Sequence, residues 1–285
     1  MPLVDMRGLL KSALKENYAV GSFSVANMEM VIGAIKAAEE LKSPIILQIA
    51  EVRLKYSPLE LIGPMMVKAA ENSKVPVAVH FDHGATIENV KKALDLGFTS
   101  VMIDGSHLEI EENIKITNKI SSMAKLYNAS VEAEIGHVGG SEDGSKEIEI
   151  QVTKLESAKK FFENTEIDAL AVAIGNAHGV YSGEPNLRFD VLKNLQNNIP
   201  IPLVLHGGSG ISAEDFKKCA TMGIKKINIA TATFNLVKKS VKELNKRLED
   251  YDYFKLHETE IKAAYENVKK HIEIFGSSNK HKEEL

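Results

Sequence analysis

Tryptophan is absent from this chain of 285 residues, cysteine occurs once, at Cys219, and arginine only four times, at positions 7, 53, 188 and 247. A single thiol excludes an intrachain disulfide and any cysteine-based zinc cluster, and it suits a reducing compartment. The formal net charge of −4 gives no basic face for nucleic acid or an anionic membrane, so an anionic ligand must be held by local groups. No apolar run approaches the ~18 residues of a membrane span. The N-terminal MPLVDMRGLLKSALKENYAV alternates charge with apolar residues, where a secretory leader would carry a continuous apolar core. A cytoplasmic protein is expected, with neither nucleic acid nor membrane among its partners.

What is present is an ordinary core composition, 44% hydrophobic and 26% charged, organised as an alternation. Strand-like apolar runs recur near 19–24, 44–49, 76–81, 99–103, 130–135, 168–174, 201–205 and 224–229, with amphipathic segments such as NMEMVIGAIKAAEELK between them. Repeated strand and helix patterns mark βαβ units and a parallel sheet. Eight of them in one chain favour a closed (β/α)₈ TIM barrel, an α/β fold, over an open doubly wound sheet. Two regions depart from the alternation. Residues 136–154 read as a long Gly-rich, acidic loop of the kind that is either a mobile functional lid or merely disordered. The chain after about 250 reads as one or two extra C-terminal helices ending at Gly276. A single barrel domain over residues 1–285 is expected.

A barrel gathers its chemistry at the C-terminal ends of its strands. His80, Asp82 and His83 end the third run, Asp104 and His107 follow the fourth, and Glu132, Glu134 and His137 lie on and after the fifth. His178, His206 and Asn228 belong to the sixth, seventh and eighth. Six of nine histidines share this rim, and imidazole is the commonest zinc ligand. His83, His178 and His206, each followed by glycine on a turn out of a strand, are the candidate triad; His80 fits a supporting role. Asp82, one residue before a ligand, is placed for proton exchange with a substrate oxygen, or else for capping the following helix near Thr86. In LVLHGGSGIS, residues 203–212, glycines and an incipient helix sit beside His206. Backbone N–H groups of Gly207, Gly208 and Ser209, with those of Asn228 to Thr231 after the eighth strand, form a candidate phosphate cradle.

HFDHG, MIDGS, EAEIGHVGGSEDG, GNAHGVY, LHGGSG and INIATAT, in this order and spacing, resemble the class II ketose-bisphosphate aldolases, a family of fructose- and tagatose-bisphosphate aldolases. The resemblance spans nearly the whole chain. It implies a zinc-dependent barrel lyase that reversibly cleaves a ketose 1,6-bisphosphate to dihydroxyacetone phosphate and glyceraldehyde 3-phosphate through a zinc-stabilised enediolate, as a homodimer or homotetramer.

Carried onto this sequence, the resemblance makes His83, His178 and His206 the Zn²⁺ ligands and Asp82 the acid/base at the C4 oxygen. It makes Glu142 the carboxylate that exchanges the C3 proton. Asp104 and Glu134 match positions for a second or displaced metal ion. Gly179, Gly207, Ser209 and the turn of Asn228, Ile229, Ala230 and Thr231 match the phosphate site, where a monovalent cation (Na⁺ or K⁺) often sits too. Ala230 stands where fructose-specific members often carry Asp, Ser24 where Asn is common, and Ala50 and Val52 flank the site after the second strand, so the sugar is left open. Arg53, just after that strand, is the candidate for the aldehyde-side phosphate. The rivals are an aldolase of this family acting on another phosphorylated ketose or a deoxy-sugar acid, a zinc hydrolase on the same barrel, and a sugar-phosphate binder without catalysis. A Schiff-base aldolase needs a lysine inside the barrel, and none is expected from the strands.

Overall fold

The computed structural model describes residues 2–140, 151–179, 185–247 and 250–281. Eight parallel strands close in sequence order: β1 (Val20–Ser24), β2 (Ile45–Ala50), β3 (Val77–Gly84), β4 (Ser100–Ile103), β5 (Ser130–Ile135), β6 (Ala169–Val172), β7 (Leu203–Leu205) and β8 (Ile224–Ile229). The TIM-barrel expectation is met, with boundaries moved where local chemistry demands it. β7 begins only after Pro202, which has no N–H for the ladder, and β6 stops short of Gly175, which has φ 95°.

Apolar residues of the strands and of the surrounding helices form one continuous outer core, from Phe23 and Leu47 to Phe161 and Ile227. The barrel interior is divided. Its N-terminal half is apolar, and a helix before the first strand, α1 (Met6–Glu16), plugs it. Met6, Leu9, Leu10 and Ala13 pack there on Val20, Ile46, Ala78, Ala171 and Val204. Burying each larger side chain contributes about 1.5–3 kcal/mol. The sequence places Arg7 in a helical segment but gives no sign that the segment closes the barrel floor. With the floor sealed in hydrocarbon, polar groups in the upper half reach water only through the C-terminal mouth.

Helices α2 (Met28–Glu40), α3 (Leu59–Asn72), α4 (Ile87–Asp95), α5 (Ile110–Leu126), α6 (Leu155–Glu163), α7 (Phe189–Asn198), α8 (Ala213–Thr221) and α9 (Thr231–Arg247) follow their strands. Beyond the barrel there is one added helix among the described residues, α10 (Tyr253–Phe275), stopped by Gly276 in the left-handed region. It lies tightly on α2: a Cβ at Gly33 would stand 2.6 Å from the Ile261 carbonyl oxygen. Of the 136–154 loop, residues 141–150, and with them Glu142, lie outside the described residues. Its described ends are pinned, with His137 and Gln151 exchanging backbone hydrogen bonds of 2.9 Å.

Candidate active site

β3 runs through Asp82 to Gly84, and its register against β4 shifts between Phe81 and Gly84. His83 sits at the shift with φ 43°, a left-handed conformation that costs a non-glycine residue roughly 1–2 kcal/mol. The broken alternation lets adjacent Asp82 and His83 both serve the barrel mouth. Asp82, 1% exposed, accepts from Gln48 Nε2 at 2.9 Å and from Asn228 Nδ2 at 3.0 Å. The capping alternative for Asp82 falls away, because Thr86 caps α4. Glu51 adds hydrogen bonds to the Ala85 and Thr86 N–H groups.

His83 Nδ1 lies 2.8 Å from Asp104 Oδ2, and His206 Nε2 lies 2.8 Å from Glu132 Oε1. These carboxylates place the N–H of each ring outward, a tautomer assigned from its partner. The remaining nitrogens, His83 Nε2 and His206 Nδ1, then face each other as lone pairs 2.7 Å apart. Such a pair is relieved by a proton or a metal ion shared between the two nitrogens, and two nitrogens of a tetrahedral zinc site stand about 3.3 Å apart at ordinary bond lengths. His178 completes the set: its ring centroid is 5.0 Å from that of His83 and 5.9 Å from that of His206. Ligand atoms of the three lie within 4.8 Å of one another. Among the described residues, buried Glu134 Oε2 has no hydrogen-bond partner, and it points at His206 Nδ1 from 3.4 Å. The donor chemistry fits a divalent cation, and His83, Asp104 and Glu134 form a second, overlapping donor set.

Burial would raise the Asp104 carboxyl, but hydrogen bonds from His83 and Ser106 overcome it and hold the group below the usual carboxylate range. Glu132 is likewise held low, burial being outweighed by Lys226, His206 and His80 together. Glu134 goes the other way, pushed well up by burial and by the Asp104 charge. His80, its Nδ1 2.7 Å from Ser100 Oγ, is pushed down to about 3 by burial and by Lys226, and with Asp82 and Glu132 it forms a third donor set deeper in the barrel.

The loops after β7 and β8 come together as expected. Gly207 has φ 65°, and a Cβ there would lie 2.1 Å from the Ala177 carbonyl oxygen, so only glycine fits between the His178 and His206 loops. Gly208 N–H is already given to Asn228 O at 3.3 Å, and Ser209 Oγ accepts from Ala232 N–H at 2.9 Å, joining the loop to the start of α9. Asn228 directs its side chain to Asp82, and Ile229 sinks its side chain into the outer core. Ala230 and Thr231 form the turn into α9, and Gly179, with φ 83°, follows His178. Arg53 closes the short helical turn Glu51–Arg53; its guanidinium lies 5.4 Å from the Phe234 ring centre. It lines a cavity of about 300 Å³ with Tyr56, Ser57 and Thr231.

Not every rim histidine converges: His107 and His137 line a separate cavity of about 320 Å³ beside β4 and β5. Conversely, Gln48, Glu132 and Lys226 were given no role in the sequence, yet Gln48 bonds to Asp82, and Lys226 pairs with Glu132, which bonds to His206. Their signal was parity, a polar residue at an inward position of an otherwise apolar strand. The expectation that no lysine enters the barrel is corrected by Lys226. It is fully buried on β8, with Nζ 2.9 Å from Glu132 Oε2 and 2.7 Å from Asn228 Oδ1.

Three imidazoles meeting at a barrel mouth, with a buried carboxylate on the residue beside one of them, suit an enzyme that works through a metal, whether lyase or hydrolase. Comparison with known proteins decides between these. The model of the family "Fructose-bisphosphate aldolase class-II" matches residues 4–280, and the chain belongs to that family. It is a lyase, and cleavage of a bisphosphate is the family's activity. A Staphylococcus aureus (strain N315) protein named fructose-bisphosphate aldolase is 40% identical over 286 residues, covering 99% of this chain and 100% of its own. The crystal structure of the YdjI aldolase from Escherichia coli K12 superposes with a TM-score of 0.88 at 36% identity, covering 98% of this chain and 100% of that one. Aldolases of this class depend on zinc in general.

Proposed function

We propose that this aldolase cleaves a ketose 1,6-bisphosphate, fructose or tagatose, to dihydroxyacetone phosphate and glyceraldehyde 3-phosphate, with Zn²⁺ held by His83, His178 and His206. The observation that carries the reading is the pair of lone-pair nitrogens 2.7 Å apart, each imidazole backed by a carboxylate, one residue from Asp82. Bound there, zinc supplies a Lewis acid that draws off the negative charge left at C3 when the C3–C4 bond breaks. Asp82, oriented by Gln48 and Asn228, takes the C4 hydroxyl proton during cleavage and returns it during condensation. Glu142 exchanges the C3 proton. In support, the described chain reaches Gly140, two residues before Glu142, with the Gly140 backbone against His178. Asp104 and Glu134 hold a second or displaced ion.

The cradle for the phosphate next to C1 is the backbone of Gly179, Gly207 and Ser209 with Asn228 to Thr231, and Gly208, its N–H bonded to Asn228 O, ties the two loops together. The carbonyl oxygens of Ala177 and Asn228, which face Gly207 and Gly208, favour a monovalent cation (Na⁺ or K⁺) beside it. Arg53 binds the phosphate of the aldehyde half. Exposed Tyr56, Tyr253 and Phe254 support a homodimer or homotetramer. Buried Cys219 supports a cytoplasmic location; no helix among the described residues is long and apolar enough to cross a membrane. The relatives' names favour fructose over tagatose, and Ala230 favours the reverse. Cleavage rates for the two bisphosphates on zinc-loaded protein test the reading. A tenfold preference for either names the substrate, and no cleavage of both overturns it in favour of another phosphorylated ketose or a deoxy-sugar acid.

A further inference from the structure

Among the described residues, Lys226 is the one buried amine that reaches both halves of the chemistry. Its Nζ lies 2.9 and 3.2 Å from the two Glu132 oxygens and 2.7 Å from Asn228 Oδ1. Glu132 Oε1 passes the contact to His206 Nε2 at 2.8 Å, and Asn228 Nδ2 passes it to Asp82 Oδ1 at 3.0 Å. Glu132 and Lys226 are both fully buried, so no water competes for the pair. We propose that Lys226 is a positioning residue of the metal centre: through Glu132 it fixes the ring of His206 with Nδ1 turned to the metal, and through Asn228 it fixes the acid/base carboxylate. This rests on the zinc reading above.

The geometry explains why an ammonium and a carboxylate are both needed. His206 N–H and the Lys226 amine together call for two acceptor oxygens at Glu132, and only a carboxylate offers two. A glutamine would offer one, and its amide nitrogen, itself a donor, would then face either His206 N–H or the Lys226 ammonium. Removing Lys226 alone leaves a buried carboxylate with its counter-charge gone. Removing both charges together leaves a neutral amide oxygen free to accept from His206. Each single change therefore disturbs His206 more than the double change does. A lysine that merely fills the barrel would show no such pattern.

The test is zinc affinity, read by competition with a colorimetric chelator, on wild type, Lys226→Met, Glu132→Gln and the double variant, with folding checked by circular dichroism. Loss of a carboxylate or its support behind a metal-ligating histidine weakens metal binding by about 10–100-fold. Each single variant is expected to fall by at least about tenfold on that scale, and the double variant to recover to within about threefold of wild type. The visible spectrum of the cobalt(II)-substituted protein should change in the singles and return in the double. Folded singles that bind zinc like wild type overturn the proposal, and so does a double variant no better than the worse single. If one single does not fold, the other single and the double decide by the same criteria. Failure of wild type itself to bind zinc would instead overturn the metal-centre reading.

Discussion

Gln48→Leu removes one of the two hydrogen bonds that hold Asp82. Gln48 Nε2 donates to Asp82 Oδ2 at 2.9 Å and to Ser24 Oγ at 3.1 Å, while Ser22 Oγ donates to Gln48 Oε1. Leucine has nearly the same volume, so the barrel does not collapse. A hydrogen bond to a charged group contributes about 1.5–3 kcal/mol, which corresponds to roughly one to two decades in kcat/KM if Asp82 must be held in place to exchange the C4 proton. The two serines lose a partner each, at about 1–3 kcal/mol of stability if they stay unpaired. Melting should therefore fall by several degrees while the protein remains folded at 25 °C. Zinc content should not change, since Gln48 touches none of the three histidines. The assay is cleavage of fructose 1,6-bisphosphate coupled to NADH oxidation, normalised to bound zinc and to folded protein. Folded, zinc-replete Gln48→Leu with kcat/KM within twofold of wild type would refute the reasoning.

Asp104→Ala takes the acceptor from His83 Nδ1 and should weaken zinc binding about 10–100-fold, read by chelator competition; unchanged affinity would mean that the contact is incidental. Arg53→Ala should raise KM for the bisphosphate by about one to two decades, the value of a charged hydrogen bond, while leaving proton exchange on dihydroxyacetone phosphate intact. Equal loss on a substrate without the second phosphate would contradict that role. His271, buried by Phe216 and Phe275 with Nδ1 2.7 Å from the Asn267 carbonyl, is pushed from 6.5 down to about 4, by burial first. It stays neutral in the folded chain while the unfolded chain protonates below 6.5. Its contribution is therefore complete above pH 6.5 and lost as pH falls toward 4, about 2 kcal/mol of it by pH 5. Urea unfolding of metal-free protein at pH 7 and pH 5 should show that difference shrinking by this amount in His271→Phe, and an unchanged difference would contradict it.

All eight strands were legible because a buried parallel strand is a short apolar run between helical patterns, and the structure brings His83, His178 and His206 together at their ends. The errors have common physical causes. β3 was ended at Phe81, and the bulge that carries it to Gly84 has no signal in composition; only the structure shows His83 at φ 43°. Alternation was used to find strands but not to sort their faces, so Gln48, Glu132 and Lys226 went without roles although each is a polar residue at an inward position. Lys226 was further hidden by Lys225, its neighbour, whose Nζ instead reaches the Ala220 carbonyl at 2.6 Å. The helix around Arg7 was legible but its role as a plug was not, because only the closed barrel supplies the floor that receives Met6 and Leu10.

The central claim is that cleavage runs through a metal held by His83, His178 and His206, and metal removal tests it most directly. Protein stripped with a chelator and dialysed should cleave no ketose bisphosphate. Added Zn²⁺ should restore cleavage at one equivalent per chain, and His178→Ala should neither retain the ion nor regain the rate. Full cleavage by the metal-free protein, with borohydride trapping substrate on a lysine, would contradict the account.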